Sequence, residues 1–487
     1  MKRILFFGCV FIALSGSAQK KVKGSPELLK LNANKELVTT ALDASYESDK
    51  KTALQIWDFA EMGYKETKSA ALHVANLKSA GFTVETGVAG IPTAFVATYG
   101  TGQPVIAILA EYDALPGLAQ TTSPEKNPIA GKNAGHGCGH HLFGTASVSA
   151  GIAIKKLIDE KKLTGTIKVF GCPAEEGGSG KVYLVRAGLF NDVDAVIHWH
   201  PDDVNAINTA GALANKSAKF RFYGISAHAS ASPDQGRSSL DAVEAMDNMV
   251  NMMREHIPQE SRIHYVITSG GKAPNVVPDF AEVYYYVRHP RRDVVVDIFD
   301  RVEKAAQGAA LGTGTTMKYE IIGGTHDLLI NKTLNEVMQA NLDKVGGVIY
   351  TDAEKVFAEK IQPTFFAKAP AIETAATVKA LSYINDGNNG STDVGDVSYT
   401  KPTVGLRAAT WVPGTPAHSW QAVAVGGTEI GTKGMLVASK TMALTAIDLM
   451  SNPEIIKKAT EEFKLSIGDY KYKALLGDRP PALNYRD

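Results

Sequence analysis

Net charge is the first thing this chain lacks: its 51 basic and 51 acidic residues cancel. With no field of one sign, neither nucleic acid nor an anionic membrane is implied as a partner. Cysteine is scarce, three in 487 residues, which excludes a disulfide-built scaffold. The apolar run near the start, residues 4 to 14, is too short to span a bilayer. Internal repeats and low-complexity tracts are absent too, which excludes solenoids and tandem arrays. What is left has the composition of an ordinary globular enzyme and the length for two domains.

The opening "MKRILFFGCVFIALSGSAQKK" is basic, then apolar, then small up to Ala18. That layout predicts a secretory leader, residues 1–18, and a secreted or periplasmic mature chain. Lipid attachment at Cys9 fits poorly, because the apolar run continues beyond it. Cleavage would leave Cys138 and Cys172. Those two could pair in an oxidising compartment, yet both sit beside histidine and glutamate motifs, so metal ligation competes with a disulfide.

Between residues 48 and 80 apolar side chains recur at helical spacing, with Gly63 in the middle, which predicts two helices. "FTVETG", "TAFVATYG", "PVIAILAEYD", "TIKVFGCPAEE" and "VDAVIHWHP" read as strands, and 142–163 as a small, apolar helix. This alternation predicts an α/β layer on a mostly parallel sheet, whose ligands gather at strand carboxyl ends. From about Asn215 the order becomes strand, helix (238–257), two strands, helix (293–311) and strand. That βαββαβ order predicts a ferredoxin-like α+β domain, 214–330, inserted into a larger domain made of 25–213 and 331–487. The α/β texture returns at "GSTDVGDVSY" and ends in a long helix near 435–450.

Four polar clusters fall at strand ends or in turns. "NAGHGCGHHLFGTAS" sets Cys138 and His140 about Gly139, flanked by His136 and His141. Thiolate and imidazole suit borderline transition metals, and a glycine lets two donors turn to one point. Alone, such histidines are as readily solvated or capping. In "GCPAEEGGSGK", one of Glu175 and Glu176 could hold a metal while the other takes a proton from water. Both could instead simply favour a helix N-terminus. "VIHWHPDD" puts His198 and His200 on one strand face, and "GTPAHSWQ" holds His418 in a turn. Together Cys138, His140, Glu176, a strand-end histidine and His418 supply five donors, with Glu175 left as a base, as a two-metal hydrolytic site needs. A cysteine hydrolase built on Cys138 would leave the two glutamates idle.

These motifs, in order with "EYDALPGL", "AHASASPDQGRSSLDAV", "APNVVPDFAEV" and "STDVGDVS", extend from about residue 50 to 450. The string resembles the dinuclear-metal amidohydrolase and peptidase family of aminoacylases, hippurate hydrolases, IAA-amino-acid hydrolases and glutamate carboxypeptidases. The resemblance implies that Cys138, His140, Glu176, His200 and His418 hold two divalent metal ions, Mn or Zn, with Co or Ni also compatible. It makes Glu175 the general base. His198 is the reserve for His200, because hippurate-hydrolase-like members place the ligand there. Glu111 stands where many peptidase members have a ligand histidine; the Cys-Gly-His motif takes over that duty, with Asp113 orienting it.

By the same likeness the inserted domain is a lid and dimerisation domain. His228 would reach the partner protomer's site and polarise the scissile carbonyl, while Asn275 and Arg288 grip the substrate carboxylate. The implied activity is hydrolysis of the amide bond of an N-acyl or N-aroyl amino acid, p-aminobenzoyl-glutamate-like, by a homodimer, with a second type of chain as an option. The rivals are a dipeptidase or carboxypeptidase of the same family and a non-catalytic binding protein for amino-acid conjugates.

Overall fold

Strand Val105–Ala110 is apolar at every position and buried throughout, the pattern of a central parallel strand covered on both faces. The computed structural model, which describes residues 26–384 and 390–487, places it between Gly165–Gly171 and Ala195–Asp202. Thr403–Ala409 follows, and these four strands run parallel. Antiparallel edges complete seven strands, with Phe95–Thr101 and Thr83–Thr86 on one side and Ala206–Ile207 on the other. Helix His140–Asp159 packs with Pro26–Phe59 and Glu429–Ser451 on one face. The short helix Gly180–Arg186 covers the other. The mostly parallel α/β layer read from the sequence is present; the expected leader, with Cys9, lies outside the described residues.

Two helices are longer than their patterns predict. The first begins at Pro26 and runs 34 residues, because a largely polar stretch still buries Val38 and Leu42. The long late helix begins at Glu429, ahead of two glycines that weaken the sequence signal. A Cβ on Gly434 would lie 2.4 Å from the Ala409 carbonyl, so glycine there lets the helix lie directly on the strand.

The second sheet has the order Arg262–Ser269, Phe280–His289, Ala214–Tyr223, Thr316–Thr325, antiparallel throughout. With helices Ser239–Met253 and Arg292–Thr313 on one face, this is the ferredoxin-like arrangement. Strand Phe280–His289 shows the period of two directly. Ala281, Val283, Tyr285 and Val287 are buried under the helices, while Glu282, Tyr284, Tyr286 and Arg288 occupy the open face.

Candidate metal centre

All the donors but His200 are delivered at local breaks in regular structure. Gly139 has φ +78° and caps helix His140–Asp159; a Cβ there would meet Pro201 at 2.7 Å. Only glycine fits that turn, and it aims Cys138 and His140 the same way. Ala174 adopts φ +56°. The chain then folds back as the N–H groups of Gly177 and Gly178 donate to the carbonyls of Glu175 and Ala174, at 2.7 and 3.0 Å. A straight strand would send Glu175 and Glu176 to opposite sides; this turn brings both inward. His200 stands near the end of Ala195–Asp202. His418, at φ +55°, donates its backbone N–H to the Gly137 carbonyl at 2.9 Å.

The donors converge as two triads, in each of which all atoms lie within 4.8 Å of one another: Cys138, His140 and His200, and Cys138, Glu176 and His418. Cys138 belongs to both, so one thiolate could serve both triads. Its Sγ is 3.3 Å from His200 Nε2, and His418 Nε2 is 3.2 Å from Glu176 Oε1. A third set joins His140 to Glu111 and Glu175. His140 Nε2 and Glu111 Oε2 face each other at 3.1 Å, yet both lack a hydrogen-bonded partner, as does Glu176 Oε1. Buried polar atoms are normally satisfied. Unsatisfied N and O atoms turned toward points shared with the Cys138 thiol are what divalent cations would complete, and the mixed S, N and O donors fit such a pair.

Asp113 sets the frame. One of its oxygens accepts from His140 Nδ1 at 2.9 Å, leaving Nε2 free to act as a metal ligand, and the other accepts the Glu176 N–H at 2.9 Å. Glu66 holds the preceding residue: its Oε1 accepts from Ala174 N–H at 2.8 Å and its Oε2 from Thr93 at 2.9 Å. Burial, then the charges of Glu111, Glu176 and Asp393, hold the Glu175 carboxyl well above its ordinary range. A carboxylate so placed binds a proton more tightly than an exposed one, as a general base working near neutrality requires. Burial also pushes the Cys138 thiol well up and the His200 imidazole down to about 4.

Other residues singled out in the sequence lie outside these donor groups. His198 is 4% exposed and its ring lies across Gly405, where a Cβ would come within 2.2 Å of Nε2. It joins none of the donor groups among the described residues. His136 and His141 are buried rather than solvated: their Nε2–H groups donate to the carbonyls of Ile56 and Gly426, each at 3.0 Å. Cys138 and Cys172 are both free thiols, so no disulfide joins them. His228 and Asn275 are exposed on adjoining lid loops, with the Ala229 N–H donating to the Asn275 carbonyl at 3.0 Å. His228 Nδ1 accepts the N–H groups of Ser230 and Ala231 at 3.3 and 3.2 Å, which puts the ring proton on Nε2 and makes that atom a donor. Among the described residues no hydrogen bond or ion pair joins His228, Asn275 or Arg288 to the donor cluster; Arg288 Nε is buried without a partner.

A buried cation, Lys181, lies against the site and has no counterpart among the residues singled out in the sequence. Lys181 Nζ lies 2.6 Å from Glu111 Oε1 and 2.6 Å from Asp393 Oδ1, with all three side chains at most 1% exposed. A lysine and an aspartate 212 residues apart carry no local signal that would pair them.

The chain is similar to known proteins over most of its length. The model of peptidase family M20/M25/M40 matches residues 107–419. The B-type chain of the p-aminobenzoyl-glutamate hydrolase of Escherichia coli is 42% identical over 451 residues, covering 87% of this chain and 94% of the relative. The Xaa-Arg dipeptidase of Mus musculus is 27% identical over 463 residues, 91% of this chain and 95% of the relative. Two solved structures share the fold. An aminobenzoyl-glutamate utilization protein from Klebsiella pneumoniae has a TM-score of 0.58 at 19% identity, over 84% of this chain and 97% of that one. A dinuclear metal binding peptidase from Bacillus subtilis has a TM-score of 0.57 at 17% identity, over 84% and 99%.

Proposed function

The chain belongs to peptidase family M20/M25/M40, and from that premise we propose that it hydrolyses N-acyl or N-aroyl amino acids of the p-aminobenzoyl-glutamate type. That it is a hydrolase of amide bonds follows from the family itself. The observation that carries the finer reading is the pair of donor triads sharing Cys138, with Glu175 beside them. Cys138, His140, Glu176, His200 and His418 are assigned as ligands of two divalent ions, Mn or Zn, with Co and Ni also matching the mixed donors. Such ions supply Lewis-acid polarisation of the scissile carbonyl and lower the pKa of an attacking water.

The residues supply the rest. Glu175 takes the proton of the attacking water and returns it to the leaving nitrogen. His228, its proton on Nε2, donates to the carbonyl oxygen as charge develops there. Arg288 and Asn275 grip the amino-acid carboxylate, the guanidinium through two parallel N–H donors.

One preparation tests activity, cofactor and compartment together. Protein purified from the medium or periplasm, with a mature N-terminus just after Ala18, releases glutamate from p-aminobenzoyl-glutamate; chelation stops it and Mn or Zn restores it. Activity unaffected by complete metal removal, across a panel of N-acyl amino acids and dipeptides, overturns the reading. Release confined to dipeptides selects the dipeptidase alternative that the Xaa-Arg dipeptidase relative represents.

The homodimer is part of the same proposal. Edge strand Arg262–Ser269 exposes Tyr265 and Ile267 on its helix face and Val266 on its open face, and helix Ser239–Met253 exposes Met249 and Met252. An apolar, unpaired edge of this kind calls for a covering partner. Native protein should sediment as two copies. Val266→Lys should sediment as one and lose most of its activity while keeping its metal, because His228 then has no partner site to serve. A fully active monomer sinks this arrangement. Two of the relatives are named as different chains of one p-aminobenzoyl-glutamate hydrolase, which makes co-sedimentation with a second chain type a further arm.

A further inference from the structure

We propose that Tyr485 and Arg486 are positioning residues that hold Glu176 in its ligating pose, at the end of a strap formed by residues 470–487. The inference rests on reading Glu176 as a metal ligand. The strap is anchored along its length. Tyr470 and Tyr472 close on the buried pair His326–Asp396, with Tyr470 Oη 2.9 Å from His326 Nε2 and Tyr472 Oη donating to Asp396 at 2.8 Å. Arg479 donates to the carbonyls of Ile321 and Ile322 on lid strand Thr316–Thr325, at 2.5 and 2.7 Å. Helix Gly180–Arg186 grips the same segment: Arg186 donates to the carbonyls of Gly477 and Arg479 at 2.7 and 2.8 Å.

The strap ends on the glutamate loop. Tyr485 Oη and Arg486 Nη2 both donate to the Glu176 carbonyl, at 2.9 and 2.5 Å. The Tyr485 ring stands edge-on to Tyr64, and Lys65 pairs with Asp487 at 2.8 Å. A Cβ on Gly63 would fall 2.1 Å from Tyr485 Oη, so this residue leaves room for the hydroxyl.

The mechanical consequence concerns one residue. The N–H of Glu176 is taken by Asp113, whose other oxygen orients His140. Its carbonyl has two lone pairs, and two donors occupy them. Both backbone groups of Glu176 are therefore fixed, and the side chain leaves the loop in one direction, toward Cys138 and His418. Releasing the carbonyl frees the residue to rotate about its Asp113 contact. The triad Cys138–Glu176–His418 then loosens, whereas Cys138–His140–His200 keeps its own supports. Outer partners of metal ligands typically change affinity by about 10–100-fold when removed.

The test measures metal on the full-length chain. Tyr485→Phe, Arg486→Ala, the double variant and Arg486→Lys are titrated with Zn against a chromophoric chelator, with thermal melts to compare folding. The double variant should hold one ion as tightly as the native chain and the other about 10–100-fold more weakly, and Arg486→Lys should recover part of that loss. A Tyr183→Phe variant, which removes only a strap contact to the Pro480 carbonyl, should bind both ions normally. Should the double variant not fold, Tyr485→Phe, lacking one hydroxyl, still decides the matter. Two ions at native affinity in Tyr485→Phe and Arg486→Ala overturn the inference. A native chain that binds only one ion overturns the reading of Glu176 itself, and the inference with it.

Discussion

Glu175→Gln will hold its metal as the native chain does and turn over about 10²–10⁴ times more slowly, the range that a lost general base removes. The substitution conserves size, and Glu175 is not a member of either triad that shares Cys138. What changes is the capacity to accept a proton. In the native chain burial and the charges of Glu111, Glu176 and Asp393 raise the affinity of Glu175 for that proton; an amide has none. The loss should fall on kcat, with KM little changed, because the proton moves only in the transition state. Steady-state kinetics with metal analysis of the same sample reads both quantities. Activity within threefold of native sinks the mechanism.

The same variant separates the rival that uses Cys138 as nucleophile. A nucleophilic cysteine needs a lowered pKa, and burial pushes this thiol the other way. A cysteine hydrolase would also be indifferent to Glu175. Loss of turnover with metal retained therefore argues against thiol attack as well as for base catalysis.

How far the sequence reaches can be judged residue by residue. Cys138, His140, Glu175, Glu176 and His418 each lie in a short motif with glycine or proline beside them, and such turns are visible locally. Choosing between His198 and His200 needed more. Both sit on one strand face, and a contact beyond the strand separates them: His198 lies over Gly405 of the neighbouring parallel strand, and His200 lies farther along, beside Cys138. The parallel α/β texture of one domain and the βαββαβ element order of the other are legible because apolar runs and alternation are periodic. The first helix was cut short because a 34-residue element buries only a few side chains in its first half. Lys181 and Asp393 lie within "GCPAEEGGSGK" and "STDVGDVS", yet nothing local pairs them, and Glu66, Tyr485 and Arg486 lie outside every motif. The partner of each is brought to it by the tertiary fold, and single polar residues carry no period to read.

Lys181→Met tests the largest of these unseen contacts, and it should cost about 3–5 kcal/mol of unfolding free energy at neutral pH. The lysine itself is expensive to bury, but its removal leaves Glu111 and Asp393 facing each other in the core with no compensating ammonium. Domains are held by only about 5–15 kcal/mol in total, so the variant should stand near its unfolding midpoint at modest urea. The pH dependence follows from the sign of the shift. Even in the native chain burial raises the Asp393 carboxyl to about 6, and without Lys181 it must rise further. A carboxyl whose folded pKa lies above its unfolded one destabilises the fold once it is ionised. The deficit of Lys181→Met should therefore be greatest above pH 7 and shrink as pH falls below 6, where the proton replaces the ammonium. Adding Asp393→Asn should recover part of the loss at pH 7.5 and little at pH 5.5. Urea titrations of the three variants at both pH values give the comparison. A single variant within 1 kcal/mol of native at pH 7.5 would mean that water already compensates these carboxylates. The buried ammonium would then be dispensable to the fold and would serve only to set the charge that Glu111 presents to His140.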